Sequence, residues 1–334
     1  MTEPFDGLSD RLRSKLDARD HPEWIQPMLA TLTHDPFSDP DWVYERKLDG
    51  ERCLAFRDGD RVRLLSRNEK KLNDSYPEIE AAIAGQSVDD FVVDGEVVAF
   101  DGNVTSFQRL QQRMQLTDRD RARSSGVAVF YYLFDILHLA GRSTERLPLR
   151  ARKALLKRVF DYETRIRFTS HRNRDGEEWL DEACAKRWEG LIAKDASAAY
   201  VHSRSRKWLK FKCSNRQEMV IGGFTEPHGE RLGFGALLLG FYDDGELVYA
   251  GKVGTGFDDD TLHRMRGRLD SRERATSPYD RGDPQDNDVN WVRPDLVAEI
   301  GFTEWTSDGR LRHPRFLGLR RDKKAEDVVR EDRR

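Results

Sequence analysis

Up to about residue 213, strand-like and helix-like runs alternate along the chain; beyond it almost every run is a short strand closed by a Gly-rich turn. That change of texture predicts one mixed domain of strands and helices followed by a smaller one built of strands, because each pattern buries its apolar face in a different layer arrangement. The length agrees, since 334 residues exceed what a single core usually organises.

In the first part, "WVYERKL", "CLAFRDGDRVRLLSR" and "FVVDGEVVAFDG" read as strands, with Asp58-Gly59 marking a hairpin. "SYPEIEAAIAG" carries helical punctuation: a proline at the start, Ile79 and Ile83 one turn apart, and Gly85 at the close. "SFQRLQQRMQL" places Phe107, Leu110 and Met114 at helical spacing behind Ser106, a candidate cap. "VAVFYYLFDIL" reads as a buried strand, "PLRARKALLKRVF" and "GEEWLDEACAKRW" as helices, and "GLIAKD" and "RKWLKFK" as strands again.

After residue 213, "EMVIGGFTEP", "GALLLGFYDDGELVYAGKVGTG" and "LVAEIGFTEWTSDGRLRHPRFLGL" are mostly strands, with "DDDTLHRMRGRL" the one helix between them. Five or six short strands with a single helix suit a small barrel of the oligonucleotide-binding type. "SRERATSPYDRGDPQDND" reads as a mobile loop. The polar first twenty residues read as an N-terminal segment with one short helix ahead of "HPEWIQPMLATL", whose two prolines suggest an extended lead-in.

A composition of 37% hydrophobic and 35% charged residues fits a water-soluble globular protein. No run approaches a membrane span or a secretory signal, so a cytoplasmic protein is expected. Cys53, Cys184 and Cys213 are odd in number and form no C-x-x-C; they read as reduced residues, with neither a disulfide framework nor a zinc site. The net charge of −3 argues weakly against nucleic acid, but charges are segregated. No acid occurs from Ala196 to Gln217, whereas Arg204, Arg206, Lys207, Lys210, Lys212 and Arg216 do, so a basic strip is available for phosphate contacts.

Three segments carry charges two residues apart: Glu45 with Lys47, Asp94 with Glu96, and Lys210 with Lys212. In a strand that spacing aims both side chains at one face. Taken singly, each is ordinary, a surface lysine before a turn, a hairpin or a solvated strand edge; their joint order along the chain is the informative part. "KLDGER", "SRN" at 66–68, "VDGEV", "YYLFDILHLAG", "EGLIAKD", "WLKFK" and "FLGLRRDK" together resemble the nucleotidyltransferase motifs of ATP-dependent DNA ligases, and most of all the ligase module of bacterial end-joining ligases of the ligase D type. The similarity runs from about Pro27 to Lys323, with Ile and Leu in "EGLIAK" where valines are common.

The resemblance implies an α+β nucleotidyltransferase (adenylation) domain with antiparallel sheets over residues 21–213, followed by an all-β OB-fold domain over 214–334, after an N-terminal segment 1–20. It implies sealing of 5′-phosphate/3′-hydroxyl nicks with ATP and Mg²⁺, Mn²⁺ being an alternative, in DNA repair or end joining. Lys47 would attack the α-phosphorus of ATP, the AMP would pass to the 5′-phosphate, and the 3′-hydroxyl would displace it. Lys210, Lys212 and Asp322 would join Lys47 as catalytic groups. Glu45, Arg52, Arg67, Glu96, Phe134, Lys194, Arg320 and Lys323 would bind the nucleotide, with Phe134 stacked on the base, and Glu96 and Glu189 would hold the metal. Arg204, Arg206 and Lys207 would touch DNA.

A free lysine has a pKa of about 10.4, so near pH 7 the amine is scarce by about 4 kcal/mol. Burial, neighbouring cations and a metal would favour the neutral form, and an uncharged Lys47 is therefore expected. Expected partners are nicked duplex DNA, a Ku-like protein and a separate polymerase, for which the chain has no room, with the protein itself a monomer associated with the nucleoid. An RNA ligase, a capping-type guanylyltransferase and a non-catalytic nick-binding module are the rival readings, separable by ATP against GTP and by DNA against RNA nicks.

Overall fold

A computed structural model describes residues 4–33, 35–162, 165–213, 215–227, 232–282, 284 and 288–331. The chain divides into two compact units, Met1–Cys213 and Ser214–Arg334. Among the described residues no helix is long and apolar enough to cross a membrane.

The first unit holds two sheets. The larger has eight strands, of which Val129–Leu139, Asp90–Asp101, Glu51–Asp58 and Arg61–Ser66 run side by side and antiparallel. Asp58 faces Arg61, so the hairpin turns on Gly59-Asp60, and Gly59 takes the positive φ of 58° that such a turn requires. The helices Pro77–Ala84, Phe107–Met114 and Leu149–Val159 lend Ile79, Ile83, Phe107, Leu110, Leu155 and Leu156 to the core against this sheet. The Ser106 hydroxyl accepts from the Arg109 N–H, closing the cap expected from the sequence.

The second sheet has five strands in the order His171–Arg172, Trp42–Arg46, Gly190–Asp195, Arg204–Lys212, Leu29–Leu32, the last pair parallel and the others antiparallel. Helix Gly176–Ala185 packs Trp179, Leu180 and Ala183 with Tyr44, Leu191 and Phe211.

Phe5 and Leu16 are buried in the core of the first unit, and Asp17–Ala18 pairs with Arg142–Ser143. One expectation changes here. Cys184 and Cys213 are joined as a disulfide, because the end of helix Gly176–Ala185 and the end of strand Arg204–Lys212 bring their Cα atoms to 5.1 Å; only Cys53 is a buried thiol. Their spacing of 29 residues carries no sequence signal for that pairing.

The second unit is a six-stranded antiparallel sheet in which Asn215–Thr225 and Val289–Phe302 form the centre, with Leu237–Asp243 and Glu246–Val253 on one side and Glu273–Arg274 and Arg315–Arg320 on the other. Helix Asp259–Asp270 is capped by Asp258, which accepts from the Thr261 N–H. The sheet is open rather than a closed barrel: among the described residues Glu246–Val253 is an edge strand, joined on its free side by an isolated bridge from Val248 to Arg281. The segment expected to be a mobile loop is partly built into the sheet. Tyr279 lies so close over Gly222 and Gly240 that a Cβ at either would come within 2.7 Å of its ring, and Glu273–Arg274 pairs with the neighbouring strand. Residues 283 and 285–287 of that segment lie outside the described residues.

Candidate active site

Strand Trp42–Arg46 lies inside the five-stranded sheet and stops one residue before Lys47, whose N–H donates to the Gly190 carbonyl at 2.9 Å. This contact brings Lys47 beside Glu189, the residue preceding strand Gly190–Asp195, and Nζ meets Glu189 Oε1 at 2.5 Å. Across the next strand pair, Gly190 faces Lys212 and Ile192 faces Lys210. Gly190 adopts φ +143°, and a Cβ there would sit 1.9 Å from the Phe211 carbonyl oxygen, so the approach of these strands requires glycine.

The residues around Lys47 set its charge state. Burial and Lys212 favour the amine, but Glu189, helped by Asp49, outweighs them and raises the pKa above that of an ordinary lysine. In this structure Lys47 is an ammonium paired with a carboxylate, its side chain only 19% exposed.

Glu45 faces a different set of groups. It is fully buried, and its carboxylate is shared by the ammonium groups of Lys153 and Lys194, the latter at 2.6 Å. Burial would raise its pKa, yet the two cations hold it below the ordinary value. Lys194 lies against the rings of Phe134 and Trp208, 4.2 and 4.1 Å from their centres, and burial lowers its pKa to about 8 against the pull of Glu45.

Arg52 makes a two-pronged bond to Asp94, both contacts at 2.5 Å, while the Tyr200 hydroxyl donates to the same carboxylate at 2.6 Å. Its guanidinium carbon stands 4.5 Å from the Phe134 ring centre. Phe134 is thus a core aromatic, 7% exposed, with cations from two strands against it. Glu96 is half-buried and lies in register with Arg52 on one side and Tyr132 on the other. Arg67 occupies the turn after strand Arg61–Ser66. Arg204, Arg206 and Lys207 are exposed on strand Arg204–Lys212, with Lys207 paired to Asp195 at 2.8 Å.

The first unit therefore brings together Lys47, Glu189, Lys210 and Lys212 on neighbouring strand ends, and Glu45, Lys194, Phe134 and Arg52 in an adjoining buried cluster. Arg320, Asp322 and Lys323 belong to the second unit. There Arg320 grips Asp322 at 2.9 and 2.7 Å, Lys323 pairs with Glu218 at 2.9 Å, and Asp322 is 1% exposed.

Sequence reasoning missed Lys153. Its signal was available: in "PLRARKALLKRVF" Arg152 and Lys153 fall on the stripe that buries Leu149 and Leu156, and a charge in an apolar stripe needs a buried partner. Arg152 finds Asp135 at 2.7 and 2.9 Å, as Lys153 finds Glu45.

The arrangement sets a lysine ammonium against a carboxylate on one strand end and buried cations beside aromatic rings next to it. The family model described as ATP dependent DNA ligase domain matches residues 27–212, and the one described as ATP dependent DNA ligase C terminal region matches 230–323. The chain belongs to the ATP-dependent DNA ligase family.

Within this ligase family it is 37% identical over 316 residues to the multifunctional non-homologous end joining protein LigD of Pseudomonas aeruginosa, covering 92% of this chain and 37% of that protein. LigD of Mycolicibacterium smegmatis is 36% identical, with 96% and 41% covered, and a DNA ligase of Hyperthermus butylicus is 32% identical, with 91% and 56% covered. The chain thus spans well under two thirds of the length of these relatives. Among solved structures, mycobacterial DNA ligase D complexed with ATP and MES matches with a TM-score of 0.66 at 33% identity, covering 92% of this chain and 98% of that one. The ligase nucleotidyltransferase domain and C-terminal OB-fold domain account for the two units, the second as an open sheet.

Proposed function

We propose that this chain is a DNA ligase that consumes ATP to seal 5′-phosphate/3′-hydroxyl breaks, with Lys47 as the nucleophile. The observation that carries the reading is the setting of Lys47: half-buried, ion-paired to Glu189 and flanked by Lys212. In the first step Lys47 Nζ forms a bond to the α-phosphorus of ATP, the bond to the β-phosphate oxygen breaks, and pyrophosphate leaves. The AMP then moves to the 5′-phosphate, and the 3′-hydroxyl displaces it.

Lys47 must lose a proton before attack. Glu189 is the interaction that keeps it charged, so whatever takes up the Glu189 charge leaves burial and Lys212 dominant, and both favour the amine. The carboxylates of Glu189 and Glu96 fit a hard divalent cation, Mg²⁺ or Mn²⁺, which when bound supplies positive charge to the phosphates. Lys210 and Lys212 would compensate the charge growing on the α-phosphate. Lys194, Phe134, Glu45, Arg52 and Arg67 would form the nucleoside side of the pocket, and Arg320, Asp322 and Lys323 would orient pyrophosphate.

DNA would run over Arg204, Arg206 and Lys207. End joining is the cellular setting that the names of these relatives suggest, and a Ku-like protein and a separate polymerase would act beside the chain there. The test is incubation with ATP labelled at the α-phosphate. The chain should become covalently labelled and seal nicked duplex DNA, and Lys47→Ala should do neither; a labelled Lys47→Ala protein overturns the assignment.

A further inference from the structure

At the other end of the large sheet, three segments distant in sequence converge on one point. Asp90 opens strand Asp90–Asp101, His138 sits near the end of strand Val129–Leu139 opposite Val92, and His21 comes from the lead-in chain. His21 Nδ1 is 2.8 Å from Asp90 Oδ1, and His138 Nε2 is 3.1 Å from the same oxygen. The two imidazole rings stand edge to face with centres 5.2 Å apart. The three donor atoms lie within 4.8 Å of one another.

We propose that His21, Asp90 and His138 bind one divalent transition-metal ion of the zinc class, which fastens the lead-in chain to the large sheet. Two imidazole nitrogens and one carboxylate oxygen are the ligand set such ions select over Mg²⁺, and three protein ligands leave a position for solvent. Bonds of about 2.0–2.1 Å place tetrahedral ligands roughly 3.4 Å apart. The two contacts to Asp90 are already near that spacing.

The surroundings favour a cation. Beside the triad is an open cavity of about 650 Å³ lined by Asp20, Asp58, His21 and Asp90, with Arg19 the one basic side chain among the described residues that line it. That guanidinium also reaches outward to Glu145 at 3.3 Å. The cavity gives the ion a path to the site. Asp90 also accepts the Gly141 N–H at 2.6 Å, which fixes the carboxylate.

The remaining ring nitrogens, His21 Nε2 and His138 Nδ1, are buried and have no hydrogen-bond partner among the described residues. A ring whose Nδ1 or Nε2 donates to Asp90 leaves its other nitrogen as a buried acceptor that nothing fills. Metal binding requires only that each ring move its proton to that second nitrogen, with no change in total protonation. The site lies on the order of 20 Å from the Arg52 and Glu96 pair, six residues along the same strands. It is therefore separate from the Lys47 centre.

The test uses the full chain stripped with a chelator. Zn²⁺ titrated by calorimetry should bind at one equivalent and raise Tm, and Co²⁺ should give visible ligand-field bands, with neither displaced by excess Mg²⁺. His21→Gln, at a residue whose side chain is 11% exposed, and His138→Gln should each abolish the bands and the Tm rise. Circular dichroism of the metal-free variants checks that both are folded. No saturable Zn²⁺ uptake, or Co²⁺ bands that survive in folded His21→Gln, would leave a hydrogen-bonded clasp only and overturn the proposal.

Discussion

Lys47 and Glu189 form an ion pair at 2.5 Å, set by the backbone bond from the Lys47 N–H to Gly190. The pair sets the charge of Lys47: burial alone would lower the lysine pKa, and the carboxylate reverses the sign. In Glu189→Gln the amine should appear at lower pH. Reaction of Lys47 with an amine-selective acylating reagent, followed by mass spectrometry against pH, should show the profile shifted to lower pH. An unshifted profile removes Glu189 as the controlling group.

Glu45 lies between two buried ammonium groups, so its loss leaves both uncompensated. Glu45→Gln should destabilise the first unit by about 3–5 kcal/mol, the usual cost of stranding a buried charge. Urea denaturation of the variant checks it, and a loss under about 1 kcal/mol would mean that water reaches the cluster.

Lys194 links stability to pH. Its folded pKa, about 8, lies below the ordinary 10.5 it regains on unfolding, so between these values the unfolded chain binds more protons. Lys194 therefore opposes folding at low pH, and its contribution improves as pH rises from about 8 to 10.5. The stability of the wild-type chain relative to Lys194→Met should rise across that window, measured by denaturant melts at fixed pH values. A flat difference would show that Lys194 is not buried as an ammonium.

The Cys184–Cys213 bridge closes a stretch of 29 residues containing Glu189 and the strand Gly190–Asp195. The chain-entropy relation gives about 3–4 kcal/mol for a loop of this size. Reduction should lower the denaturant midpoint accordingly, and thiol titration of the unreduced, unfolded chain should find one thiol. Three thiols would remove the bridge.

Arg204, Arg206 and Lys207 stand exposed in a stretch without acids until Glu218. Replacing all three by alanine should weaken nick binding and reduce the slope of log K against log salt by about one for each DNA phosphate that is no longer neutralised. An unchanged slope in filter binding places DNA elsewhere.

Local chemistry was legible in the chain itself. The Asp-Gly hairpin at Gly59, the Ser106 cap, the periodicity of Phe107, Leu110 and Met114, and the change of texture at residue 213 each depend on neighbours within a few positions. The ordered ligase motifs supplied the family, because several short matches in one order are far more specific than any one. By spacing alone, Glu45 and Lys47 form a pair on one strand face. The Lys47 N–H bond to Gly190 continues the register that pairs Glu45 with Ile192, while the carboxylate each side chain meets comes from elsewhere in the chain.

What the tertiary structure decided was pairing. Lys47 with Glu189, Glu45 with Lys153 and Lys194, Arg52 with Asp94, and Cys184 with Cys213 are partners chosen by strand register and helix packing across long stretches of chain. The sequence determined which residue types were present and on what local element each would lie. Whether a lysine among them is an amine or an ammonium depends on the distance to a carboxylate brought in from another segment, and only the packed sheets set that distance.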